Sequence, residues 1–121
     1  MFAPLQIIWR GLEESEALET LIQTRTRKLQ HLYADLGGCR VLLERPHRHK
    51  HLGEAFHVRI ELMVPGGEVV VEREPARTGR HDDPYVAVSD AFRVARRELQ
   101  EHVQKRRGFV KRHEPAHAPR R

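Results

Sequence analysis

The chain has 121 residues, a net charge of +5, 39% hydrophobic residues and 32% charged ones, with a mean hydropathy of −0.66 and an isoelectric point near 10.0. That length suits one domain with a single modest core, no apolar run approaches the ~20 residues that span a bilayer, and no basic segment precedes the first apolar residues as a secretory signal requires. A single cysteine, Cys39, excludes an internal disulfide and a zinc site built from several thiolates, and a reducing, cytoplasmic setting fits.

Pro4 to Arg10 is a short apolar run and reads as a strand ending at Gly11. A helix follows, with Ser15 as N-cap and Glu13, Glu14, Glu16 and Glu19 at its positive end. Leu18, Leu21, Ile22, Leu29, Leu32 and Tyr33 recur at helical spacing, Leu36 extends the stripe, and Gly37-Gly38 is expected to end it. Arg25 falls within the angular span of that stripe, as a snorkelling arginine or as a phosphate ligand. Arg27 and Lys28 make the second half of this helix basic.

Cys39 to Arg45 reads as a buried strand stopped by Pro46. Ala55 to Val64 alternates, with Phe56, Val58, Ile60 and Leu62 on one face and His57, Arg59 and Glu61 on the other. Pro65-Gly66-Gly67 makes a tight turn into a partner strand, Glu68 to Arg73. Asp83 can cap a last helix, and Pro84 suits its first turn. On that helix Val88, Ala91, Phe92, Ala95, Leu99 and Val103 share one side, opposite Arg93, Arg97 and Arg107 and flanked by Arg96, Lys105 and Arg106. One side is for a core and the other for anions or water. Past Arg107 the chain reads as a polar tail, 108–121, expected to be disordered and set apart from a 1–107 domain.

The order predicted is β-α-β-β-β-α, an α+β fold with a four-stranded sheet and two helices packed on one face. Charge is distributed unevenly over it. Residues 1–74 hold 10 Lys/Arg against 11 Asp/Glu, a net of −1, and residues 75–121 hold 12 against 6, a net of +6. Such asymmetry seeks a polyanion. Because the apolar faces of both helices are needed for the core, nucleic acid is favoured over a membrane surface. A broad basic surface on two side-by-side helices suits a folded RNA.

Other constellations carry less. His47, His49 and His51 alternate with Arg48 and Lys50, and interleaved cations oppose a metal ion. No nucleophile elbow, phosphate-cradling glycine loop or zinc-protease motif is present. No metal, cofactor, small-molecule substrate or catalysis is therefore expected. Trp9 and Phe56 are expected in the core, and Tyr85 either packs or reaches the rim of the basic surface.

Three segments together resemble the ribosome hibernation-promoting factor and ribosome-associated inhibitor family. Ser15-Glu-Ala-Leu18, followed by Arg25, Lys28-Leu29 and Tyr33, looks like the family's first helix. Gly66-Gly67-Glu68 resembles its hairpin before the fourth strand, and Asp83-Pro-Tyr85-Val-Ala87-Val88, with Arg97 and Leu99, is similar to the motif that opens its second helix. The likeness spans residues 5–112. It implies a fold similar to double-stranded-RNA-binding domains, docking on small-subunit rRNA in the decoding channel used by mRNA and tRNA, and silencing of idle ribosomes under stress by occupation. By position it implies rRNA contact for Arg25, Lys28 and Arg97. Arg93, Arg96, Lys105, Arg106 and Arg107 join from the helical wheel and local charge, and the loop residues Arg77 and Arg80 by extension. Ser89, Val94 and Glu101 depart from the family's usual residues. The chain reads as a short form, without the second domain through which long members pair ribosomes, and as a monomer when free. The alternatives are a general double-stranded-RNA-binding module and a protein-interaction module that docks an acidic partner.

Overall fold

The computed structural model describes residues 4–45, 56–73 and 83–113, by backbone alone after Arg106. Its elements are β1 (Leu5–Arg10), α1 (Glu16–Leu32), β2 (Gly38–Glu44), β3 (His57–Val64), β4 (Gly67–Arg73) and α2 (Pro84–His113). The sheet runs β1-β2-β3-β4. β1 and β2 are parallel, and β3 and β4 continue antiparallel. Parallel neighbours need a crossover longer than a hairpin turn, which α1 supplies.

Period-2 alternation assigns the two sheet faces. In register across the strands, Ile7, Val41, Ile60 and Val71 form one core row, and Cys39, Leu62 and Val69 form the next. Val41, Ile60 and Leu62 are fully buried, as are Ile22 of α1 and Val88, Ala91, Ala95 and Leu99 of α2. Both helices therefore cover this one face, as the sequence predicts. Phe56 is buried, while Trp9 is half-buried and packs against the core.

The other sheet face is a ladder of charges. Arg59 donates to Glu61 on its own strand and to Glu72 on β4, both at 2.8 Å, and Arg40 of β2 reaches Glu61 at 3.3 Å. Burying one large aliphatic chain is worth about 1.5–3 kcal/mol, whereas exposed ion pairs contribute little because water and salt screen them. The helix-covered face carries the stability. The open face keeps its charges neutralised across strands.

Both helix starts follow the predicted capping. Ser15 is extended (φ −126°, ψ 122°) and its hydroxyl accepts from the Leu18 N–H at 3.2 Å. The Asp83 carboxylate accepts from the Tyr85 N–H at 2.9 Å, at the position next to Pro84 that capping requires. The end of α1 differs from expectation. The helix stops at Leu32, where the Tyr33 N–H closes onto the Leu29 carbonyl, rather than at Gly37-Gly38. Leu36 still reaches the core, but from a turn whose N–H bonds to the Tyr33 carbonyl. The Gly37 N–H donates to the Met63 carbonyl at 2.8 Å, so sheet pairing claims the backbone before the stripe runs out. At the other end, the helical backbone of α2 continues to His113 and takes in residues 108–113 of the expected tail. Residues 114–121 lie outside the described residues.

Candidate nucleic-acid interface

Between the two helices lies a groove of about 570 Å³. α1 lines it with Arg25, Lys28, Leu29, His31 and Leu32, and α2 with Ser89, Asp90, Phe92, Arg93 and Arg96. Apart from His31 and Asp90, these sets repeat at i, i+3, i+4 and i+7, so each helix offers the edge of its buried stripe rather than its outermost face. Leu29 and Phe92 are almost wholly buried, and they form a floor that opens toward Leu32, which is 50% exposed. Lys28, Arg93 and Arg96 are exposed above it.

Arg25 has a particular position. It is half-buried, and its Nε is shielded from solvent with no hydrogen-bond partner among the described residues. A guanidinium N–H without a partner and out of water is costly unless something supplies an acceptor. Arg25 sits at the margin of the apolar stripe, half-buried, and lines the groove. Arg93 is paired with Asp90 one turn away.

The other predicted cations are placed differently. Arg97, Lys105 and Arg106 are exposed on α2 but do not line the groove. Arg106 extends over the β3–β4 turn, where its Nη1 would lie 2.5 Å from a Cβ at Gly66. His102 approaches the Pro65 carbonyl at 3.4 Å in the same region. The Arg107 side chain, Arg77 and Arg80 lie outside the described residues, as do His47, His49 and His51. Four predicted cations thus converge on one groove, and three stand apart along the helix. Sequence reasoning missed the apolar floor and the contributions of His31, Ser89 and Asp90. Their spacing was visible, but which stripe edges face each other depends on how the helices cross the sheet.

Other chemistry is sparse. Among the described residues, no group of three or more His, Cys, Asp or Glu side chains could hold a metal ion. Cys39 is buried, and burial pushes its thiol up to about 11, against a smaller opposing effect of the Thr26 hydrogen bond. Tyr85 is 43% exposed at the start of α2. No helix among the described residues is long and apolar enough to cross a membrane.

Four strands backed on one face by two helices define an α+β protein of the kind seen in ribosomal subunit interface proteins. Residues 5–107 match the family described as Sigma 54 modulation protein / S30EA ribosomal protein, and the chain belongs to that family. This is the ribosome-associated, hibernation-promoting-factor family that the sequence resembles. A ribosomal subunit interface protein from Coxiella burnetii is similar at a TM-score of 0.67 and 16% identity, over 84% of this chain and 98% of that one. The N-terminal domain of Thermus thermophilus Protein Y is similar at 0.62 and 24% identity, over 84% of this chain and 99% of that one. No curated protein matches the chain.

Proposed function

We propose that this protein is a cytoplasmic, non-catalytic translation inhibitor that binds small-subunit rRNA in the decoding channel and silences idle ribosomes under stress. One observation carries the reading: in a chain of this family, Arg25 and Lys28 of α1 converge with Arg93 and Arg96 of α2 on a single groove. Two rows of cations on adjacent helices span more than one phosphate. They match a folded RNA surface better than a single anion. The charge-balanced open sheet face directs the polyanion to the helical side.

The test is co-sedimentation of the protein with purified ribosomal subunits at low and high salt, alongside a variant carrying Lys28→Glu, Arg93→Glu and Arg96→Glu. The expected result is migration with the small subunit, loss at high salt, and loss in the folded variant. Absence of the wild-type protein from the small subunit, or undiminished binding by the variant, overturns the reading. Equal affinity for generic duplex RNA points instead to a general double-stranded-RNA binder. A complex that survives RNase points to an acidic protein partner.

A further inference from the structure

We propose that the α1–α2 groove takes one unpaired nucleotide of the bound RNA, its base on the apolar floor and its phosphate against Arg25. This rests on the RNA-binding reading above and adds what part of the RNA the groove recognises.

The groove is larger than phosphate contact alone requires. Its volume of about 570 Å³ falls within the ~300–1,000 Å³ of clefts that enclose small ligands. Its floor also has the wrong chemistry for a phosphate. Leu29, Leu32 and Phe92 offer no donors, so a phosphate seated over them would lose hydration without replacement. A nucleobase has the opposite property, because its flat π-face gains from apolar contact while its phosphate stays at the rim. Unstacked bases of single-stranded loops and bulges are recognised in this way, on apolar or aromatic surfaces and on guanidinium planes.

The polar groups are arranged for the same ligand. Arg25 brings a planar guanidinium to the wall of the groove, and because its Nε is closed to solvent, a phosphate can be met only by the terminal nitrogens. Lys28 and Arg96 are exposed at the groove and can hold the phosphates on either side of a turned-out base, while Arg93 is paired with Asp90, which also lines the groove. Leu32 matters most on the apolar side. It is the last residue of α1 and stays half-exposed although it belongs to the helix's apolar stripe. The fold leaves this side chain uncovered where the cations gather.

The experiment compares binding to two short RNA hairpins at several salt concentrations. One carries a single bulged nucleotide and the other an abasic residue at the same place, so that phosphate charge is equal. The wild-type protein is expected to bind the hairpin with the base about fivefold tighter or more. That ratio should hold as salt rises while both affinities fall. Leu32→Ser, a half-exposed position whose change spares the core, should lower the ratio by removing one of the three apolar residues under the base. Equal binding of the two hairpins by the wild-type protein, a ratio unaffected by Leu32→Ser, or no binding to either hairpin overturns the proposal. Co-sedimentation of the wild-type protein with the small subunit is read separately. If it persists while the two hairpins bind equally, the nucleotide site fails and ribosome association stands.

Discussion

The Thr26 hydroxyl and the Cys39 thiol meet 3.9 Å apart beneath α1, with both residues buried. Thr26 lies one position after Arg25, so one helical step separates a residue locked into the core from one that lines the groove. Cys39 anchors the start of β2 against this point. The rotation of α1 that buries Thr26 against Cys39 also turns Arg25 to the groove.

Cys39 should be inert to a thiol-alkylating reagent in the native protein and react only at the rate of unfolding. Its thiol is buried and its pKa stands at about 11 rather than 9.0, so neither access nor thiolate is available at neutral pH. The same shift predicts alkaline sensitivity. Below pH 9 the thiol is protonated in both states and its contribution to stability is complete. Between pH 9 and 11 the unfolded chain gives up the proton first, which draws the equilibrium toward unfolding by roughly 2 kcal/mol. Urea denaturation at pH 8 and 10.5 would show this, and Cys39→Ala should flatten the difference.

Gly11→Ala should destabilise more than Gly66→Ala. Both glycines have left-handed backbone, with φ of +76° and +90°, a region that costs an ordinary side chain on the order of 1–3 kcal/mol. The added Cβ would also strike the Arg45 carbonyl at Gly11 but only the movable end of Arg106 at Gly66. Backbone paired at the strand ends cannot yield: the Arg45 N–H is itself bonded to the Arg10 carbonyl at 3.0 Å. Thermal melts of the two variants would give the order.

Ser15→Ala and Asp83→Ala should each lower stability by about 1 kcal/mol, because each leaves a helix-terminal N–H without its side-chain acceptor. Asn at either position should restore most of the loss. Chemical denaturation of the four variants distinguishes capping from any role of these residues in binding, which co-sedimentation would report unchanged.

Charge on the two faces should behave differently. Arg40→Gln with Arg59→Gln removes cations that are already paired with Glu61 and Glu72 on the open sheet face, and ribosome association should be unaltered. Arg96→Gln on the groove should weaken association and lower the slope of log affinity against log salt by about 1, as expected for one lost phosphate contact. Arg97→Gln, exposed but off the groove, should have the smaller effect. If the sheet-face pair mattered as much as Arg96, the helical side would not be the binding side.

Most of the architecture could be read from local pattern. Alternation from Phe56 to Leu62 assigned the faces of β3, the stripe from Val88 to Leu99 assigned the buried side of α2, and Ser15 and Asp83 marked where helices begin. These features depend on neighbours within one turn or one strand, and a single sequence contains them. The end of α1 does not follow from local pattern, because the Gly37 N–H is drawn away by the Met63 carbonyl, a partner 26 residues downstream.

The sequence by itself determined the element order, the core residues and the concentration of positive charge in the last third, since periodicity and composition are properties of the chain. Only the tertiary structure decided which cations share a groove. It joined Arg25 and Lys28 to Arg93 and Arg96 and left Arg97 and Lys105 outside, and it turned Arg106 toward the β3–β4 hairpin. It also exposed Leu32 beside Leu29 and Phe92 to give the groove an apolar floor. The physical reason is that a helical wheel fixes directions around one axis only. Which edges of two helices meet depends on how both pack across the same sheet.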